Sequence, residues 1–273
     1  MKRFVIKGNI CYSNENRELC IIENGYTVCE NGICAGTYKE LPKCYEIYPC
    51  YDYTDKLIIP GFADLHVHAP QYSFRGLGMD LELLDWLNTH TFVEEAKYQE
   101  IDYAEKAYSI FAEDILKSPT TRACVFGTVH NEATLILMKK LENAGIKGFV
   151  GKVNMDRNSP AYICEESPEK SAENTEAWIQ KSKSLENIKP ILTPRFIPTC
   201  SDELMEKLSV LQKNIIYQCS LTFLKTLEKF SGCMSYVRIR NSMEKLMLDT
   251  GCSEKNALLL WRIVFTAQKK RCS

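Results

Sequence analysis

The chain has 273 residues, enough to bury one large hydrophobic core or two modest ones. Its 45% hydrophobic and 25% charged content is that of an ordinary globular protein, and its net charge of −1 argues against nucleic acid or an anionic membrane as a partner. The sequence has no apolar run long enough to span a bilayer and no start resembling a signal peptide, so we expect a cytoplasmic protein.

Residues 1–56 read as short strands separated by turns. Two "ENG" tripeptides supply turn signals, and β-branched and aromatic residues fill the runs between them, which predicts a small antiparallel β unit. Six of the chain's 13 cysteines fall in this unit: Cys11, Cys20, Cys29, Cys34, Cys44 and Cys50. Because the total is odd and no signal peptide is recognised, the cysteines are expected to be reduced thiols rather than a disulfide framework.

Strands and helices alternate from residue 57 to residue 213. The apolar runs predict strands within 57–68, 119–130, 146–156 and 188–196, and the helical periodicity predicts helices within 131–145, 174–185 and 201–213. Alternation at this spacing indicates βα units and a parallel sheet. Residues 214–273 do not continue the rhythm, and no reliable fold is predicted for them.

The stretch "LIIPGFADLHVHAPQ", residues 57–71, carries the first chemical signal. In a strand, residues i and i+2 point to the same face, so His66 and His68 project together. Two imidazoles held in this way can share a metal ion, although a bare HxH is more often a pair of solvent-exposed histidines. The other histidines are His90 and His130, so none lies in the second half of the chain.

The surroundings of the two histidines resemble the amidohydrolase superfamily and, within it, the guanine deaminases. The resemblance rests on "HAPQ", "RGLGMDLELLDWL", "VGKVNMD" and "TPRF" and covers residues 57–213. It implies the first half of a (β/α)₈ barrel of the TIM type, with a small β-sandwich built partly from the N-terminal strands. It also implies one zinc ion that activates water for hydrolytic deamination of guanine to xanthine and ammonia. A full-length member of this family can form a homodimer.

The resemblance assigns roles residue by residue. His66 and His68 would be zinc ligands, and the segment His68, Ala69, Pro70 and Gln71 would meet the substrate, with Gln71 bonding to the purine edge. Arg195 and Phe196 of "TPRF" would hold the base by hydrogen bonds and packing.

Four further residues receive weaker expectations. Without the resemblance, the favoured interpretations of Arg195 and Phe196 are a surface ion pair and a core aromatic. His130 could line the pocket but is expected to be a satisfied structural histidine. Asp64 and Asp156 are expected to stabilise local turns.

The family pattern then requires a histidine in an "HLSE"-like motif, whose glutamate is the proton shuttle, then a further histidine and an aspartate. None of these is present in the chain, so no catalytic residue is assigned. Either the chain is a divergent non-catalytic relative or its reading frame shifts near Asn214. Codons chosen for Cys219–Cys233 can spell "QSHLSENFGEIQWV" in another frame, and the same frame over "LWRIVFTA" can spell "MAHCVHS", which favours the frameshift.

The sequence thus predicts a guanine deaminase-type hydrolase whose written chain is incomplete and inactive. Two alternatives stay open. One is another amidohydrolase that deaminates a different heterocycle, such as a triazine, cytosine or an adenosine derivative. The other is a non-catalytic half-barrel that serves as a binding protein.

Overall fold

The computed structural model of the chain describes residues 3–215, which divide into two compact units after Phe62. The predicted boundaries at residues 56 and 213 stay predictions. Apart from the end of a helix at Ile215, the predicted tail of residues 214–273 lies outside the described residues. No helix among the described residues is long and apolar enough to cross a membrane.

The first unit is a four-stranded sheet in the order β3-β2-β1-β4. Its strands are β1 (Arg3–Ser13), β2 (Leu19–Glu30), β3 (Ile33–Tyr38) and β4 (Cys50–Ile58). Strands β1, β2 and β3 pair antiparallel as predicted, but β4 pairs parallel to β1. The expectation of a purely antiparallel unit was therefore wrong. Residues 39–49 carry the chain back past the hairpin, so β4 enters beside β1 in the same direction.

The two "ENG" tripeptides have different structures. Asn31 and Gly32 both adopt positive φ, 54° and 79°, and form the two-residue turn between β2 and β3. The earlier tripeptide lies inside β2, where Asn24 has φ 50° and its backbone N–H donates to the Asn9 side chain at 3.1 Å. The β1–β2 register shifts at this point, so the signal produced a bulge rather than a turn.

The second unit begins with β5 (Phe62–His68) and contains the βα units. Its elements, in chain order, are the 3₁₀ segment Ala69–Phe74, α1 (Leu83–Trp86), the π-helical segment Leu87–Thr91, α2 (Phe92–Ala96), the 3₁₀ segment Lys97–Gln99, α3 (Ile101–Lys117), β6 (Thr120–Phe126), α4 (Asn131–Asn143), β7 (Lys147–Gly151), β8 (Val153–Asn154), α5 (Pro168–Ser182), β9 (Ile188–Pro190), β10 (Thr193–Pro194), the 3₁₀ segment Ile197–Thr199 and α6 (Asp202–Ile215).

The main sheet of this unit has the order β5-β6-β7-β9, and the pairs β6–β7 and β7–β9 are parallel. A second parallel pair, β8 with β10, extends two of these strands past a break. Helices α3, α4 and α5 connect successive strands, and α6 follows β10. Four βα units in this order are the first half of a TIM-like barrel, as predicted. The carboxyl ends of the strands meet at one edge, where barrel active sites lie.

The core of the second unit lies between the sheet and its helices. Trp178, Phe111 and Leu141 are almost fully buried there. Helix α4 ends as predicted, since Gly145 takes φ 76° just after its last turn. Helix α3 was not predicted, although its buried residues Ala104, Tyr108, Phe111 and Ala112 repeat at helical spacing.

Candidate functional site

The two histidines of the HxH motif lie side by side at the carboxyl end of β5. The ring centroids of His66 and His68 are 5.2 Å apart, and both rings pack on the buried ring of Phe126, at 4.8 and 4.5 Å. Phe126 ends the neighbouring strand β6, so the parallel sheet itself supplies the surface on which the imidazoles rest. Both rings project to the same side of the strand, as the alternation of side chains along a strand predicts.

Burial lowers the pKa of both imidazoles, which favours their neutral form. Burial lowers the pKa of His66, which the carboxylate of Asp64 partly opposes. Burial also lowers the pKa of His68 well below its ordinary value, and the charges of Arg195 and His66 act in the same direction. The neutral ring is the form that binds a metal ion, and the buried Nδ1 of His68 has no hydrogen-bond partner among the described residues.

A cavity of about 470 Å³ opens beside the histidine pair. This volume is in the usual range for small-molecule sites. The wall residues are His66, Val67, His68, Gln71, Tyr72, Arg75, Leu83, Trp86, Leu87, Arg195 and Phe196. They come from β5, from the segment between β5 and α2, and from the end of β10, so distant parts of the sequence converge here.

Arg195 is the buried cation of this cavity. Its side chain is 2% exposed, and Nη1 donates a hydrogen bond to Oε2 of Glu95, a carboxylate that is fully buried in α2. The guanidinium carbon lies 5.1 Å from the centroid of the Phe92 ring. Burial raises the pKa of Glu95, while Arg195 and a weaker interaction with the Gln71 side chain oppose the rise. Arg195 is therefore neither on the surface nor unpaired.

Most of the residues that the sequence singled out come together here. His66, His68, Gln71, Arg195 and Phe196 all line the cavity. The residues near position 70 and those at positions 195 and 196 thus meet in one cavity, although more than 100 residues of chain separate them. Their roles toward a ligand stay predictions.

Two residues of the predicted "HAPQ" segment do not line the cavity. Ala69 and Pro70 are buried in the 3₁₀ turn that follows β5, and the Pro70 carbonyl accepts hydrogen bonds from Ser73 Oγ at 3.3 Å and Tyr98 OH at 3.4 Å. Their visible contribution is to shape the turn that presents Gln71.

The expectations for His130, Asp64 and Asp156 need correction in part. His130 precedes α4, away from the cavity wall, and its buried Nε2 has no hydrogen-bond partner among the described residues, so it is not the satisfied histidine that was expected. Asp64 lies inside β5 rather than in a turn, although its contact is local, since Oδ1 accepts the backbone N–H of His66 at 3.1 Å. Asp156 instead acts at long range and accepts the N–H of Ser201 at 2.7 Å, at the start of α6.

Several wall residues and the partner of Arg195 were not predicted from the sequence. Leu83, Trp86 and Leu87 have i, i+3, i+4 spacing inside the quoted motif "RGLGMDLELLDWL", a signal that could have indicated a shared face. Glu95 had no comparable signal, because it stands next to another glutamate in a sequence that looks surface-exposed.

The donor set tests whether a metal ion fits. The two imidazoles have the residue type, charge state and separation that a shared ion needs. Within residues 3–215, however, no group of three or more histidine, cysteine, aspartate or glutamate side chains could hold a metal. The described residues thus form half of a metal site. Cysteines do not complete it, and the nine described cysteines are free thiols.

A profile of the amidohydrolase family matches residues 57–221, which include the cavity, the histidine pair and all four βα units. The chain belongs to the amidohydrolase family. The match runs through the predicted boundary at residue 213 and eight residues beyond it. Amidohydrolases related to this chain depend on a metal ion, in keeping with the half site at the end of β5.

Several relatives of this amidohydrolase are guanine deaminases. The chain is 42% identical to guanine deaminase of Rattus norvegicus over 160 residues, which are 58% of this chain and 35% of the relative. It is 41% identical to guanine deaminase of Escherichia coli over 157 residues, 56% of this chain and 35% of the relative. The chain thus spans about a third of the length of these curated relatives.

A solved structure of a guanine deaminase is also similar to this chain. The crystal structure of guanine deaminase from C. acetobutylicum, with guanine bound in its active site, superposes with a TM-score of 0.81 at 39% identity. The superposition covers 87% of this chain and 57% of that one. The fold of this chain is therefore similar to that of a guanine deaminase over about half of that protein's length.

Proposed function

We propose that the cavity is the guanine-binding half of a zinc-dependent guanine deaminase. The observation that carries the proposal is the convergence of Gln71, Arg195 and Phe196 beside the His66–His68 pair in one cavity. The similarity to guanine deaminases, including one with bound guanine, supports it. The complete reaction would convert guanine and water to xanthine and ammonia.

Each side chain has a chemical task in this proposal. Arg195 supplies N–H donors to the oxo and ring-nitrogen acceptors of the purine, and Gln71 supplies both a donor and an acceptor to its edge. Phe196 and Trp86 give the flat apolar surfaces on which an aromatic base packs. His66 and His68 would hold the zinc ion, which when bound makes a water molecule nucleophilic at neutral pH.

We also propose that the 273-residue chain does not itself turn over guanine. Two imidazoles leave the zinc site short of ligands, and the chain has no histidine after His130 to complete it. The "HLSE"-like motif with its glutamate shuttle is absent from the sequence, so the proton transfer to the leaving amine has no assigned donor. The frameshift near Asn214 is part of this proposal.

Location and partners follow from the same reasoning. Guanine is the only partner we propose for the chain as written, and a homodimer would belong to a full-length relative. Free thiols suit the reducing cytoplasm, which is the location we propose.

Equilibrium dialysis of the 273-residue chain with radiolabelled guanine tests the binding proposal. We expect saturable binding that is lost in Arg195→Met and kept in Arg122→Met, in which the replaced arginine is exposed on β6. Cytosine and a triazine serve as competitors, and displacement of guanine by either at equal concentration would favour the alternative amidohydrolase. Absence of guanine binding would refute the proposal.

A second experiment tests the proposed frameshift and the proposed inactivity of the 273-residue chain. The gene is first sequenced across codons 205–235 on independent DNA, and a version is then made in which the other frame is read from near codon 214. Xanthine formation is followed for both proteins with added zinc. We expect turnover only from the frame-restored protein, so xanthine formation by the 273-residue chain would contradict the proposed inactivity.

A further inference from the structure

The carboxylate of Glu95 pairs with the Arg195 guanidinium and is not part of the cavity wall. Both side chains are almost fully buried, and 100 residues of sequence separate them. Removing two charges from water is costly, and a buried ion pair is weak evidence for stability because its attraction often only offsets that cost. Because stability alone does not account for this buried pair, a role in ligand recognition is the explanation that we pursue.

The surroundings hold the guanidinium in one orientation. Glu95 accepts a hydrogen bond from Nη1, the Phe92 ring lies 5.1 Å from the guanidinium carbon, and the backbone N–H of Arg195 donates to the Asn154 carbonyl at 3.1 Å. Glu95 and Phe92 both belong to α2, while Arg195 and Phe196 form part of the cavity wall. The helix thus positions a side chain that faces the cavity from the end of β10.

The cavity wall carries two cationic side chains, and Glu95 pairs with the buried one, Arg195. None of the described residues that line the cavity is acidic, and two of them, Arg75 and Arg195, are cationic. Arg75 is exposed at the wall, where it bonds to the Tyr72 carbonyl at 2.7 Å.

The neighbouring acid, Glu94, is occupied elsewhere. It accepts hydrogen bonds from Ser73 Oγ at 2.6 Å, from Lys97 Nζ at 2.6 Å and from the Tyr103 hydroxyl. Glu95 is thus the acid that directly compensates Arg195. Without it the buried guanidinium would present a full positive charge to the cavity, where weak dielectric screening makes such a charge count more than in water.

We propose that Glu95 is a positioning and specificity-determining residue, which aims the Arg195 guanidinium and cancels its charge so that the cavity takes a neutral aminopurine and rejects anionic oxopurines. The inference rests on the proposed function, because it assumes that Arg195 meets the purine. Guanine is neutral at neutral pH, whereas xanthine ionises near neutral pH and urate is an anion. The same charge balance would therefore favour the substrate over its more acidic oxidised relatives.

Paired binding measurements test the charge argument. Equilibrium dialysis of the 273-residue chain is carried out with guanine as the neutral probe and urate as the anionic probe, with a chelator present so that no metal adds charge. In Glu95→Gln we expect weaker guanine binding and stronger urate binding, so that the ratio of the urate Kd to the guanine Kd falls by at least about tenfold. Glu94→Gln is the matched control and should leave the ratio unchanged.

The outcomes separate this inference from the proposed function. A purely structural role for Glu95 would weaken both probes alike in Glu95→Gln, and that result would overturn the inference while guanine binding by the unaltered chain still stands. Two measurements do not depend on the folding of that variant. The unaltered chain must prefer guanine over urate by about tenfold or more, and Glu95→Asp, which keeps the charge, must preserve that preference. An unaltered chain that binds neither purine would overturn the proposed function, and the inference with it.

Discussion

Glu165→Gln removes one charge from an ion pair in the interior of the half barrel. Lys152 follows β7, is fully buried, and places Nζ 2.5 Å from Oε1 of Glu165, which is 7% exposed. The other oxygen of Glu165 accepts from Ser171 Oγ at 2.5 Å and from the Met155 N–H at 3.2 Å. After the substitution, the Lys152 ammonium keeps the Val153 carbonyl, at 3.1 Å, as its hydrogen-bond acceptor among the described residues and has no countercharge.

The magnitude follows from the cost of leaving a buried charge unpaired. Removing one partner of a buried ion pair typically costs about 3–5 kcal/mol. Lys152→Met should cost less than Glu165→Gln, because Glu165 keeps the two hydrogen bonds from Ser171 and Met155. In the double variant Lys152→Met/Glu165→Gln no charge is left unpaired, so we expect it to be more stable than the sum of the two single changes predicts, by about 2–3 kcal/mol.

Urea unfolding of the 273-residue chain, followed by tryptophan fluorescence, to which the buried Trp178 contributes, measures these free energies. The control is Lys181→Met, which breaks the exposed pair between Lys181 and Glu132 and should change the free energy of unfolding by about 1 kcal/mol or less. Single changes at Lys152 and Glu165 that each cost under about 1 kcal/mol, or costs that simply add in the double variant, would refute the reasoning.

Three further predictions use the same unfolding assay. Gly148→Ala would place a Cβ 1.9 Å from the Ala123 carbonyl oxygen at φ 152°, so we expect a loss of more than about 3 kcal/mol, and a loss under about 1 kcal/mol would contradict the packing. Burial lowers the pKa of His130, so the unfolded chain binds this proton at a higher pH than the folded chain does. The free energy of unfolding should therefore fall as the pH drops below about 6.5. His130→Gln should reduce this fall, and an unchanged dependence of the free energy on pH would contradict the prediction. Ser167→Ala removes the side-chain oxygen that accepts the Lys170 N–H at 3.1 Å at the start of α5, and should cost about 1 kcal/mol, whereas no measurable loss would show that the cap is dispensable.

Local periodicity determined much of the fold. The alternation of residues along a strand placed His66 and His68 on one side, and the observed ring separation of 5.2 Å follows from that spacing. The repeat of apolar residues predicted α4 and α6, and Gly145 marked the end of α4. These patterns succeed because they depend on backbone geometry within a few residues, which the sequence states directly.

The pairing of distant segments was decided by the tertiary structure. Nothing near Glu95 in the sequence indicates that it meets Arg195, and nothing near Lys152 indicates Glu165 as its buried partner. The direction of β4 beside β1 was equally unreadable, because strand pairing depends on the path of the connecting segment. By itself, the sequence singled out His66, His68, Gln71, Arg195 and Phe196, which the structure places around one cavity. Packing decided which of them meet, because burial and charge compensation depend on surfaces that face each other only after the chain has folded.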